Sequence, residues 1–262
     1  MGERSKVYMT DLRCRPGVSL LNKLEKLMRT AGIGEINFER KLVAIKMHFG
    51  EPGNLAFLRP NYAKVVADVV KSLGGVPFLT DCNTLYPGRR KNALEHLDAA
   101  YENGFSPLST GCQVIIGDGL RGNDDVEVPV EGAEYIQTAK IGKAIMEADV
   151  IISLSHFKGH EQTGFGGAIK NLGMGCGSRR GKMEQHAQGK PMVAPRRCVA
   201  GAPPSAPTAP SPLGRIARRP STGTSAWAAA AVLRCATPTP SALATTRPWR
   251  SWAAAWRSTP RR

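Results

Sequence analysis

Between Ala148 and His186 a short apolar segment runs into a polar, glycine-dense loop, and this transition constrains the fold more than any other stretch. Val150 to Leu154 is apolar and rich in β-branched residues, a pattern that predicts a buried strand ending near Ser155. Beyond it lie His156, His160 and His186, three of the five histidines, together with Lys158, Lys170 and Cys176. Glycines at 159, 164, 166, 167, 173, 175, 177 and 181 allow close approach of backbone to a ligand. In an open α/β sheet, ligands bind beyond the carboxyl ends of the strands, so the loop is the first candidate site.

The rest of residues 1–199 supplies such a sheet. Lys6–Met9 reads as an edge strand, and Leu42–Met47, Val76–Thr80 and Val114–Ile116 read as further strands. Ser19–Arg29 places Leu20, Leu21, Leu24 and Leu27 on one helical face. Pro60 suits a helical first turn, Val65, Val66, Val69, Val70 and Leu73 follow on one face, and Gly74-Gly75 stops the helix. A further helix is expected near Lys91–Asn103. Strands alternating with helices predict an α/β fold: a mainly parallel sheet with helices on both faces. Three strand ends then carry polar clusters that share one edge: His48/Glu51/Asn54, Asp81/Asn83/Thr84 and the histidine–glycine loop. Asp and Asn after a strand also serve as turn residues and caps, so only the third cluster is dense enough to stand alone.

Charge needs local reading. The formal +15 is concentrated after Ala202, where nine arginines occur without Lys, Asp or Glu, which leaves 27 basic and 21 acidic side chains before it. The six cysteines form no close pair, and no apolar run approaches the ~18 residues of a membrane span. No signal-peptide pattern precedes the first expected strand, so a cytoplasmic location without membrane contact is expected.

Two chemistries suit the loop. Glycine amides and a helix beginning near Gly167 would hold a phosphate or carboxylate, with Lys158 or Lys170 as counter-charge. The expected lining is His156, Lys158, His160, Gly164, Gly166, Gly167, Lys170 and Asn171, joined by His48, Glu51, Asp81 and Asn83 from the neighbouring ends. The alternative is a metal held by His156 and His160 with His186 or Cys176. The i, i+4 spacing brings the two histidines together only on a helix, which Gly159 opposes. A nucleophilic Cys176 is a third option, although no sequence feature pairs it with a base.

The segments H-F-K-G-H, G-F-G-G-A-I-K-N-L-G-M-G and G-K-M-E-Q-H resemble the bacterial and archaeal family known as domain of unknown function 362. K-M-H-F-G-E, T-D-C-N-T-L-Y and I-G-K-A-I-M-E-A-D-V-I-I extend the resemblance over roughly residues 5–199. It implies a redox association, because many members carry two 4Fe–4S ferredoxin motifs directly afterwards. The first should begin at Cys198, in Arg197-Cys198-Val199-Ala200, but the C-x2-C-x2-C-x3-C pattern that wraps a cubane does not follow. Ala, Pro, Arg, Ser and Thr dominate from Ala202, and all four tryptophans lie there. Residues 200–262 are therefore expected to be a disordered tail, a frameshifted remnant of a two-cluster ferredoxin domain.

The genetic code supports that expectation. Read one base earlier, Ala217–Ser241 permits K-A-T-I-D-R-D-K-C-V-G-C-G-R-C-L-A-V-C-H-A-D-A-V, a complete cluster motif. Its cysteines fall at the junctions 225/226, 228/229, 231/232 and 235/236. The chain as it stands keeps Cys198 and an isolated Cys235, so no cluster is expected in it; the intact parent would hold two and serve a redox partner. Two other readings remain: a binding module whose Arg/Trp tail contacts nucleic acid, and a racemase-like metal-cofactor enzyme. The first lacks stacking-platform spacing and any groove-reading motif. The second rests on a resemblance of the histidine and lysine loop to nickel-pincer lactate racemases.

Overall fold

Residues 6–132, 136–160 and 164–186 are described by a computed structural model. In chain order the elements begin with α1 (Leu20–Thr30), β1 (Leu42–Lys46), α2 (Pro60–Ser72), β2 (Val76–Asp81), α3 (Ala93–Glu102), α4 (Pro107–Thr110) and β3 (Gln113–Ile116). They continue with β4 (Asp125–Pro129), β5 (Thr138–Gly142), α5 (Lys143–Met146), β6 (Val150–Ser153), β7 (Lys158–His160), β8 (Gly164–Gly166), α6 (Ala168–Gly173) and α7 (Arg179–His186). The expected tail, with Cys198 and Cys235, lies outside the described residues.

Four strands form one sheet in the order β3-β2-β1-β6, every neighbouring pair parallel. Period-2 alternation sorts their side chains. Val43, Ile45, Leu79, Val114, Ile116 and Ile152 face a core completed by Leu24 and Met28 of α1 and by Ala63, Val66 and Val70 of α2. Burying each of the large aliphatic side chains stabilises the fold by about 1.5–3 kcal/mol. On the opposite face Ala44 and Phe78 meet Ala148, and nearer the carboxyl edge Cys82 meets Ile141, Ile145 and Cys176. The α/β expectation therefore holds, with a four-stranded parallel sheet flanked by helices.

The register sets the strand ends level. Lys46 pairs with Thr80 on one side and Ser153 on the other, and Asp81 pairs with Ile116. The turn before β2 depends on Gly74, whose φ of +83° lies in the left-handed region while its carbonyl accepts from the Arg40 amide at 3.0 Å.

Three local readings change. Lys6–Met9 is not a strand; Val7 and Met9 are exposed and pair with no strand among the described residues. Val126 and Val128 alternate with polar residues, as do Ala139 and Ile141, and the two segments form the unanticipated antiparallel pair β4–β5. The segment carrying His156 and His160 enters the antiparallel pair β7–β8. Among the described residues, no helix is long and apolar enough to cross a membrane.

Candidate functional site

The chain places a lysine at the end of β1 and a carboxylate at the end of β2, and the parallel register turns them into a buried pair. Lys46 Nζ lies 2.9 Å from Asp81 Oδ1 and 2.8 Å from Asn171 Oδ1. The Asn171 amide nitrogen donates to the Lys46 carbonyl and to Ser153 Oγ, both at 2.9 Å, so α6 staples β1 to β6. Asp81 Oδ1 also accepts from the Cys82 amide at 2.9 Å. Burial opposes ionisation of both members, but their mutual field wins. Lys46 is held above the usual ammonium range, and Asp81 far below the usual carboxylate range by Lys46, then His96.

Around this pair the network is nearly closed. Arg90 lies 3.6 Å from Asp81 Oδ2 and forms an ion pair with Glu51. Asn83 donates twice to Asp118 Oδ1 at 2.9 Å, and Asp118 Oδ2 accepts from the Arg179 amide at 2.9 Å. Lys182 Nζ donates to the carbonyls of Asn83 at 2.8 Å and Cys82 at 3.3 Å. His96 is fully buried, with Nδ1 3.3 Å from Asn83 Oδ1, and burial followed by the Arg90 charge overcomes Asp81 to lower its pKa to about 3. Among the described residues, Thr80 Oγ1, Arg90 Nε and His96 Nε2 are buried without a hydrogen-bond partner. His48 accepts from the Gly50 amide on Nδ1 at 2.8 Å, which places any ring proton on Nε2. Its surface meets solvent, yet the protein packed around the ring, then Arg90, lowers its pKa to about 4; the accepting Nδ1 independently favours the neutral ring.

The loop after β6 is built differently. Lys158 stands opposite Gly166 and His160 opposite Gly164 across the β7–β8 pair, where Gly164 takes a φ of +77°. The Lys158 and Lys170 stems both pass beside Gly166, and Lys170 Nζ contacts His160 Nε2. Phe157 and Phe165, each about half exposed, set their ring centroids 5.5 Å apart. Lys170 is pushed below the ordinary ammonium range by partial burial and then by Lys158, and His156 is lowered by the same two causes in the same order. Among the described residues neither Lys158 nor Lys170 has a carboxylate partner, nor do Lys41, Lys71, Lys143 and Lys182, while Lys23, Lys46, Lys64, Lys91 and Lys140 each have one.

The three expected polar clusters do share one edge. Glu51, Asp81 and Asn83 join the network around Lys46, with Asp81 and Asn83 buried, while His48 stands beside it and bonds the Gly50 amide. Lys158, His160, Gly164, Gly166 and Lys170 lie together at the β7–β8 hairpin, and Gly167 caps α6 where a helix start was expected. Asn171 belongs to the buried side through its bonds to Lys46 and Ser153. Lys46, Arg90, His96 and Asp118 were not among the candidates; a lysine closing the apolar run L-V-A-I-K was the available signal. Cys176 is fully buried, and burial pushes its thiol up to about 12, so it is not poised as a nucleophile. His186 places Nδ1 2.7 Å from the Lys182 carbonyl and its ring against Tyr86. Among the described residues no three His, Cys, Asp or Glu side chains are grouped to hold a metal ion.

Comparison with known proteins bears on this edge. A family model described as Domain of unknown function (DUF362) matches residues 43–245, a range that includes every residue named at the site and runs past Cys198. Thylakoid-associated protein sll1697 of Synechocystis sp. is 29% identical over 163 residues, 60% of this chain and 46% of that protein. The chain thus spans less than half the length of that relative. Among solved structures, the lactate racemase apoprotein from Thermoanaerobacterium thermosaccharolyticum aligns with a TM-score of 0.40 and 14% identity, over 65% of this chain and 36% of that one.

Proposed function

The chain belongs to the family described as Domain of unknown function (DUF362), and we propose that its α/β domain binds a small anionic ligand at the β7–β8 hairpin, with Lys158 and Lys170 as its counter-charges. The observation that carries this reading is the lysine pair itself: two stems side by side at Gly166, with no carboxylate partner among the described residues, and Lys170 lowered by partial burial and then by Lys158. An anion between the two ammonium groups removes that repulsion and is favoured by it. Titration calorimetry with sulfate and with oxalate tests it. Binding should be saturable, weaken as salt rises, and fall at least about tenfold in Lys158→Gln/Lys170→Gln. Equal heats from the variant and the parent chain would sink the reading.

The same proposal includes a redox setting. Cys198 opens what would be a ferredoxin motif, and the shifted frame of Ala217–Ser241 permits a complete one. The intact gene would then join this ligand-binding domain to a two-cluster electron-transfer module. The gene sequence is decisive: Ser225 must be encoded by AGT or TCT, and the Ala228 codon must end in T. With the frame restored, anaerobically reconstituted protein should be brown and hold two 4Fe–4S clusters. Colourless protein with no bound iron would remove the module.

A further inference from the structure

Lys170 occupies a place that the other lysines in this domain do not. It projects from α6, the helix that follows β8, and its amine meets the Nε2 atom of His160 on β7. Its stem runs beside Gly166, with Cδ 3.8 Å from the point where a Cβ would stand, and the Lys158 stem lies equally near at 3.8 Å. The absence of a side chain at Gly166 is what lets the two cations share this strip of hairpin. The Lys158 charge beside it favours the uncharged, nucleophilic form of the amine, and His160 Nε2 stands within reach of the proton that the nitrogen releases on attack. Partial burial acts in the same direction, and Lys158 is the charged group whose field adds to it.

We propose that Lys170 is a carbonyl-reactive amine, and that the anionic ligand is a small aldehyde or 2-oxo acid captured there as an imine. The inference rests on the anion-binding reading for the ligand's charge, but not for the reactivity of the amine. The neutral Lys170 nitrogen donates its electron pair to the carbonyl carbon, the C=O π bond opens, and the oxygen takes up a proton. His160 Nε2 carries the two protons released from nitrogen, one after the other, to that oxygen. Loss of the hydroxyl as water then leaves a C=N bond, so one amine and one carbonyl give one imine and one water, with no oxidant or reductant. Lys158 pairs with the ligand's carboxylate, and before the ligand arrives its field raises the share of Lys170 present as free amine.

The test is made on the full chain with glyoxylate at pH 7, followed by borohydride reduction and peptide mapping. The other lysines act as internal standards. Lys170 should acquire the reduced adduct at least about tenfold faster than the median exposed lysine. The midpoint of its rate against pH should fall below theirs. Lys158→Gln should slow Lys170 about tenfold and raise that midpoint, and His160→Gln should slow it without abolishing sulfate binding. Lys170→Arg should erase the preferred site while keeping the anion. Lys170 reacting at the average rate in the unaltered chain overturns the proposal, whatever the variants do. Sulfate binding with average labelling leaves the anion site and removes the imine. Preferential labelling by neutral acetaldehyde as well, without sulfate binding, keeps the reactive amine and removes the anion site.

Discussion

Lys46 and Lys170 both belong to the carboxyl edge of the sheet, and the side chain next to Lys170, Asn171, reaches Lys46. The protein moves the two ammonium groups in opposite directions. Lys46, 1% exposed, is nearly sealed from water yet held above its usual pKa, because Asp81 lies 2.9 Å away. Lys170 is far less buried and is lowered, by partial burial and then by Lys158, with no carboxylate among the described residues to reverse it. Depth alone therefore does not sort the polar residues of this edge. The carboxylate beside Lys46 does, and it separates a region that locks the strands together from the hairpin proposed to bind an anion.

The largest expected effect comes from breaking the locked side. Asp81→Ala leaves Lys46 and Arg90 buried without their shared carboxylate and should cost about 3–5 kcal/mol in urea unfolding. Lys46→Met/Asp81→Leu, which removes both charges of that pair, should recover much of the loss. A small effect of Asp81→Ala would erase the contrast with the hairpin.

Acid should act on the same region. His96 is neutral in the fold, with a pKa of about 3 against about 6.5 in the unfolded chain. Between those values the unfolded state binds more protons, so stability falls as pH drops from about 6.5 towards 3, with a limiting slope of about 1.4 kcal/mol per unit. His48, lowered to about 4, adds in the same direction. Asp81 has the depressed carboxylate sign: its contribution is complete above its unfolded pKa of about 4 and is lost as pH falls further towards its folded value. Unfolding free energies measured from pH 7 to 4 should show this decline, and His96→Gln should flatten part of it. A flat profile in the parent chain would contradict the buried neutral imidazole.

Gly175 tests how tightly the two regions are joined. A Cβ there would stand 2.1 Å from the Asn171 carbonyl oxygen and 2.6 Å from Lys46 Nζ. Gly175→Ala should therefore cost about 1–3 kcal/mol through overpacking, read as a lower unfolding midpoint. The smallest change in stability belongs to the hairpin. Lys158→Gln/Lys170→Gln should stay within about 0.5 kcal/mol of the parent while the anion is lost. A large stability loss in that variant would make the hairpin lysines structural.

Much of the frame was legible because its signals are local. Val43, Ile45, Val66 and Val70 repeat at strand or helix spacing, Pro60 opens α2, and Gly74 closes it, so each element reports on itself. The density of cations and glycines from His156 to Lys170 likewise marked the hairpin proposed to bind the ligand. Asp81 and Asn83 were legible as polar residues at a strand end, but their burial was not. His96 gave no signal at all, since a histidine on an amphipathic helix reads the same whether it meets water or Asp81.

The sequence by itself determined the strand–helix alternation, the placement of polar residues at the strand ends, and the loop on which the basic groups gather. Tertiary structure alone decided which of those groups are neutralised. Lys46, Asp81 and Asn171 come from widely separated parts of the chain, and only the parallel register and the seating of α6 bring them within 3 Å. Coulomb energy and desolvation depend on such distances in space and hardly at all on separation along the chain. That is why two lysines that look equivalent in the sequence differ so sharply in the fold.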